Sequence, residues 1–105
     1  MQATDGSWRL TKELASILGH DLTELNAAVQ GATGPRDEVL RACATSLALA
    51  WLQKNAADAE DEWRLLATKA RKWLDAAPTV PPGGGAWIDF AESFLTLHER
   101  AGRNR

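Results

Sequence analysis

The sequence predicts an all-α fold, a single-domain bundle of about five helices over residues 1–105. Apolar residues recur at spacings of three and four along five segments, and glycine, proline or capping residues bound those segments. The period-two alternation typical of strands is nearly absent. A chain of 105 residues buries enough surface to fold without a metal or a disulfide. The helices are expected near residues 7–18, 22–30, 35–54, 58–77 and 86–101, with a Pro/Gly-rich loop at 78–85.

The first two predicted helices are short, and each ends at a glycine. Gly19 and Gly31 follow the last periodic positions, and glycine tolerates the left-handed conformation that often closes a helix. Asp21 and Glu24 have the spacing of a capping box at the start of the second helix. The inward positions are Leu10, Leu14, Ile17 and Leu18 in the first helix and Leu22, Leu25, Ala28 and Val29 in the second.

The third predicted helix starts at Pro35, because proline at the first helical position has no amide hydrogen to leave unsatisfied. One face consists of Val39, Cys43, Leu47 and Ala50. Leu49, Trp51 and Leu52 point in other directions, so this helix is apolar nearly all round. We therefore expect it to be the central helix of the bundle.

The fourth and fifth predicted helices each have one apolar side, which is typical of core packing in a small domain. The inward positions are Ala59, Trp63, Leu66, Ala70, Trp73 and Ala77 in the fourth helix and Trp87, Ala91, Phe94 and His98 in the fifth. The outer side of the fourth helix carries two pairs of opposite charge four residues apart, Glu60 with Arg64 and Arg71 with Asp75. For His98, a partly buried structural histidine and a functional one both stay open.

The glycine run in "PPGGGAWIDF", residues 81–90, is predicted to be a turn and not a phosphate site. A Walker-type loop ends in Gly-Lys-Ser/Thr, whereas Gly85 is followed by Ala86 and Trp87. The dinucleotide fingerprint requires a preceding strand and spaced glycines, and here the glycines are adjacent and follow a helix. The run therefore lets the fifth helix fold back on the fourth, and use of the loop as a binding edge stays open.

The sequence contains few of the residues that catalysis and metal binding require: two histidines, one cysteine and no tyrosine. The residues three positions before the histidines are Ile17 and Leu95, so the Glu-x-x-His ligand pair of di-iron bundles is absent. The His-Glu-x-x-His, Cys-x-x-Cys and Gly-x-Ser-x-Gly patterns are absent as well. Cys43 is expected to be a small buried hydrophobic residue. We therefore expect no enzymatic activity, no cofactor and no metal.

The segment from Thr11 to Gly31 resembles the DNA-binding helix-turn-helix motif. The motif has a small residue where its two helices touch, here Ala15, and a glycine at the turn four residues later, here Gly19. The residues that this resemblance would place toward the major groove are Thr23, Glu24, Asn26 and Gln30. Asn and Gln side chains can read adenine there. The implied recognition helix contains no Lys or Arg, although neutralisation of DNA phosphates by these residues supplies most non-specific affinity. DNA-binding transcriptional regulation is therefore the alternative function and not the leading one.

The leading functional interpretation is a small protein–protein interaction module: an adaptor, a regulatory or immunity-type partner, or a subunit of a helical assembly. Five tryptophans in so small a domain are expected to leave some aromatic surface exposed, and tryptophan is enriched at binding hot spots. The candidate contact residues, which the periodicity places off the main core faces, are Leu49, Trp51, Leu52 and Leu65. The expected partner is a protein, either a second copy or a different chain.

Composition places the chain among ordinary globular proteins, with 45% hydrophobic residues, 25% charged residues and a formal net charge of -2. The first ten residues, "MQATDGSWRL", lack a charged start followed by an apolar run, so a cytoplasmic location is predicted. The longest uncharged stretch, residues 42–53, is shorter than the roughly 20 apolar residues that a membrane span needs, so no membrane association is expected.

Overall fold

The computed structural model describes residues 7–77 and 79–103, with side chains described up to residue 95. The helices are α1 (Lys12–Leu18), α2 (Leu22–Ala28), α3 (Arg36–Asn55), α4 (Glu60–Ala76) and α5 (Trp87–Arg103), and a 3₁₀ turn (Ala57–Ala59) precedes α4. No strand forms within these ranges, although Thr33 and Val80 make an isolated antiparallel bridge with two N–H···O bonds of 2.9 Å. The prediction of an all-α bundle of about five helices is confirmed.

Helix α3 is the centre of the bundle, as its pattern predicted. Every residue from Ala42 to Ala50 is buried, so no side of this stretch faces solvent. Helices α1, α4 and α5 all pack against it. Most residues of the stretch are small, which lets the surrounding helices approach closely and pack at interior density.

The candidate interaction residues on α3 are placed differently from the prediction. Leu49 has no exposed surface and belongs to the core, so its assignment to a binding surface is wrong. Helical periodicity had placed it off the main apolar face, but a helix surrounded by neighbours has no outward face at this level. Trp51 and Leu52 are half-buried and pack against the core.

Residues 7–11 are not helical, and α1 begins at Lys12 rather than near residue 7. The Thr11 hydroxyl accepts a hydrogen bond from the Leu14 N–H at 3.1 Å and caps the helix. Upstream, the Trp8 N–H donates to the buried Thr45 Oγ1 at 2.8 Å, which ties this segment to α3. Ile17, predicted to face inward, is 49% exposed.

Gly19 and the predicted capping box lie at the connection from α1 to α2. Gly19 has φ of 82° and closes α1 in the left-handed conformation, as predicted. Asp21 is the N-cap residue of α2, but its side chain makes no capping hydrogen bond. The Glu24 carboxylate lies against His20, with Oε1 2.9 Å from Nδ1.

Helix α4 packs mainly on α3 through a narrow buried stripe of Trp63, Ala67 and Ala70. The Trp63 indole N–H donates to the Ala56 carbonyl at 2.7 Å and fixes the start of the helix against the end of α3. Leu66, predicted to face inward, is 39% exposed, because the stripe is centred one position further on at Ala67.

The predicted Pro/Gly loop joins α4 to α5. Gly83, Gly84 and Gly85 all have positive φ, at 85°, 84° and 81°, a conformation that side chains with a Cβ rarely adopt. The Gly84 N–H donates to the Pro81 carbonyl at 3.0 Å and closes the turn. The glycines therefore serve the reversal of the chain.

Substitution of Gly84 by alanine is expected to lower the unfolding free energy by about 1–2 kcal/mol, the cost of a left-handed residue with a Cβ. No atom lies within 4 Å of the added Cβ, so the cost is conformational and not steric. Gly31→Ala is the control: its Cβ would meet Pro82 at an ordinary 3.6 Å, and its unfolding free energy should be unchanged or raised by up to about 1 kcal/mol. Urea unfolding measures the unfolding free energy of both variants. Equal changes in the two variants would contradict the prediction.

Helix α5 covers α3 with Trp87, Ala91 and Leu95, all of them buried. The Trp87 indole N–H donates to the buried Thr79 hydroxyl at 3.1 Å, which anchors the loop to the start of the helix. Phe94, predicted to face inward, is half-buried, and the predicted position of His98 lies outside the described side chains. None of the helices in the described part of the chain is long and apolar enough to cross a membrane.

Candidate functional site

The most exposed of the large apolar side chains in the described structure is Leu65, at 78% exposure, and Leu66 beside it is 39% exposed. Both lie in the middle of α4. The other large exposed apolar residues, Ile17 and Val80, lie singly on α1 and on the loop before α5. We define the α4 outer face as Glu62, Leu65, Leu66, Lys69, Lys72 and the half-buried Trp73.

Helical geometry explains why these residues share a face. Leu65 lies two residues after the buried Trp63, which places it about 200° further round the helix and away from α3. Leu66, Lys69 and Trp73 follow one another at spacings of three and four and form the flank next to it. The outer face is thus a ridge of apolar and charged side chains along a helix whose opposite side is held by the core.

Charges are segregated along α4. The first turn holds Glu60, Asp61 and Glu62, and the next ten residues hold Arg64, Lys69, Arg71 and Lys72 with no further acid. Arg64 is paired within the helix, 3.7 Å from Glu60 as predicted and 3.2 Å from Asp61. Within residues 7–77 and 79–95, the structure shows no side-chain hydrogen bond or ion pair for Glu62, Lys69 or Lys72.

The structure separates the four predicted interaction residues. Leu65 is on the surface, Trp51 and Leu52 are partly covered by neighbouring residues, and Leu49 is in the core. Sequence reasoning missed Leu66 and Lys69 as surface neighbours of Leu65. Their spacing from Glu62, four and seven residues, is the signal that groups them on one face.

Comparison with known proteins finds similarity to one segment of a longer protein. The chain is 40% identical over 97 residues to the human von Willebrand factor A domain-containing protein 5A, which covers 90% of this chain but 12% of the human protein. The mouse protein of that name is 38% identical over 99 residues, and the rat protein 39% over 85 residues. The chain thus spans about one eighth of the length of these relatives. No protein-family profile and no solved structure matches the chain.

The helix-turn-helix interpretation receives no support from these relatives or from the bonding of its key residue. The Asn26 amide donates to the Leu22 carbonyl at 2.8 Å and accepts a hydrogen bond from Arg36 at 3.1 Å, so both ends of the side chain are engaged. Thr23, Glu24 and Gln30 are exposed.

Cys43 is a free thiol on the buried face of α3, as predicted. Burial disfavours the thiolate and raises the pKa of Cys43 from 9.0 to about 12. Since the thiolate is the reactive form, this residue is not poised as a nucleophile.

In the described part of the chain, no three His, Cys, Asp or Glu side chains are grouped to hold a metal ion, and the absence of a cofactor stays a prediction.

We expect the Cys43 thiol to resist Ellman's reagent at pH 8 in the folded protein and to react fully in urea. The unfolded chain ionises near 9.0 and the folded chain only near 12, so the unfolded state releases its proton first. The contribution of this residue to stability therefore falls as the pH rises above 9. Rapid labelling of the folded protein at pH 8 would contradict the prediction.

Proposed function

We propose that this chain is a protein-interaction domain that binds its partner through the α4 outer face, without catalytic activity of its own. The observation that carries the proposal is the adjacent exposure of Leu65 and Leu66 in a helix whose opposite side packs on α3. Complete burial of a leucine side chain is worth about 1.5–3 kcal/mol, so covering both would contribute substantially to binding.

The similarity to a larger protein supports this proposal. The human and mouse relatives contain the matching segment as about 12% of their length, so there it accompanies a much longer chain. A compact helical segment within such a chain suits a docking role, as an adaptor, a regulatory partner or a subunit of a helical assembly. We propose a cytoplasmic location for this role, in line with the ordinary globular composition of the chain.

Site-specific photocrosslinking tests the proposal in cells that express the protein. Benzoylphenylalanine in place of Leu65 is expected to form a protein adduct on irradiation, because the side chain lies where the partner would bind. The same group in place of Arg71, exposed and about 120° round α4 from Leu65, is the matched control. Equal adduct yields at the two positions, or none at position 65, would refute the proposed surface.

A further inference from the structure

The charges of the α4 outer face are arranged symmetrically about its two leucines. Glu62 lies three residues before Leu65, and Lys69 lies three residues after Leu66. The four residues have the i, i+3, i+4, i+7 spacing of a single helical face. With a rise of 1.5 Å per residue, the acid and the base each lie about 5 Å along the axis from the midpoint of the leucine pair.

This arrangement is self-complementary in a two-fold symmetric pair of antiparallel helices. When a second α4 lies antiparallel across the first, a two-fold axis at the midpoint brings Leu65 against Leu66 of the second copy. The same axis brings Glu62 against Lys69, twice, because a two-fold interface repeats every contact. Parallel alignment would instead place like charges opposite one another.

We propose that the partner of the α4 outer face is a second copy of this chain, bound antiparallel through the leucines with Glu62 and Lys69 paired across the axis. The inference rests on the proposed function, since it names the occupant of that surface. Glu62 and Lys69 are both exposed, and neither has an ion-pair partner within residues 7–77 and 79–95. The same antiparallel alignment therefore pairs both the leucines and the opposite charges of the two copies.

The dimer formed in this way is weak and reversible. One pair of helices covers less area than the roughly 800 Å² per partner of a stable interface. Exposed ion pairs are screened by salt, so the dissociation constant rises with ionic strength.

Charge reversal across the dimer axis tests the proposal by sedimentation equilibrium at low salt, up to about 1 mM protein. Glu62→Lys and Lys69→Glu are each expected to raise the dissociation constant about tenfold or more, since each turns two attractive pairs into repulsive ones. An equimolar mixture of the two variants is expected to associate again, because every pair across the axis is then of opposite charge. The double variant in one chain restores self-association for the same reason.

Arg71→Glu is the matched control, an equal change of charge on the same helix but off the outer face. It should leave the dissociation constant within about threefold of the parent value. The proposal is overturned if the parent chain stays monomeric, if the mixed variants fail to associate, or if Arg71→Glu weakens the dimer as much as the other two changes. Circular dichroism confirms that each variant is folded.

The crosslinking experiment separates failure of this inference from failure of the proposed function. A parent chain that is monomeric but crosslinks from position 65 to a different protein overturns the second-copy proposal and retains the interaction surface. A dimer without preferential crosslinking at position 65 overturns both the surface and the proposed register. A crosslinked product with twice the mass of the chain supports both.

Discussion

Replacement of Leu49 by alanine is expected to lower the unfolding free energy by about 2–5 kcal/mol, the range for removing a fully buried leucine side chain. Leu49 has no exposed surface and lies in the run of buried residues through the middle of α3. Close packing around α3 limits how far its neighbours can close the cavity. Urea unfolding followed by circular dichroism measures the loss.

Leu65→Ala provides the matched control for Leu49→Ala, with the same chemical change at an exposed position. Because Leu65 is 78% exposed, the unfolding free energy should change by no more than about 0.5 kcal/mol. Unfolding is best measured on dilute protein, so that any self-association contributes little. Similar losses of unfolding free energy for the two variants would contradict the difference in burial between Leu49 and Leu65.

Thr45→Val is expected to lower the unfolding free energy by about 1–3 kcal/mol although it preserves the shape of the side chain. The Thr45 hydroxyl accepts the Trp8 N–H at 2.8 Å in a buried position, and valine leaves that donor without a partner. The variant should also lose local protection near Trp8, because this hydrogen bond attaches residues 7–11 to α3. Hydrogen exchange of the Trp8 amide should become faster in the variant.

Thr45→Ser separates the hydrogen bond from the packing. Serine keeps the hydroxyl and removes one methyl group, which costs about 0.8 kcal/mol of burial. The Trp8 amide should then stay protected even though the global stability falls. Equal protection of this amide in the valine and serine variants would contradict the assigned role of the hydrogen bond.

Helix placement was largely predictable because local rules determine it. Gly19 and the glycines of the loop mark reversals that need positive φ, and these signals depend only on neighbouring residues. The start of α1 was predicted too early. The tertiary hydrogen bond from the Trp8 N–H to Thr45 engages a residue that a helix starting near residue 7 would include, and no local pattern reveals this bond.

The candidate site was predictable only in part. Leu65 was singled out because it lies off the core stripe of its helix, and the structure places it on the surface. Leu49 was singled out on similar grounds and is buried, while Leu66 was assigned to the core and is 39% exposed. Periodicity gives the direction of a side chain about its own axis but not which directions are covered by other helices.

The amino-acid sequence by itself determined the all-α class, the central position of α3 and the turn made by the glycine run, because these follow from periodicity and backbone preference. Only the tertiary structure decided which apolar residues stay uncovered. Several helices share the enclosure of α3, whereas α4 rests mainly on α3 alone and keeps an outer face. That difference depends on how many helices surround each helix and where they lie. Contacts between residues distant in the chain determine both.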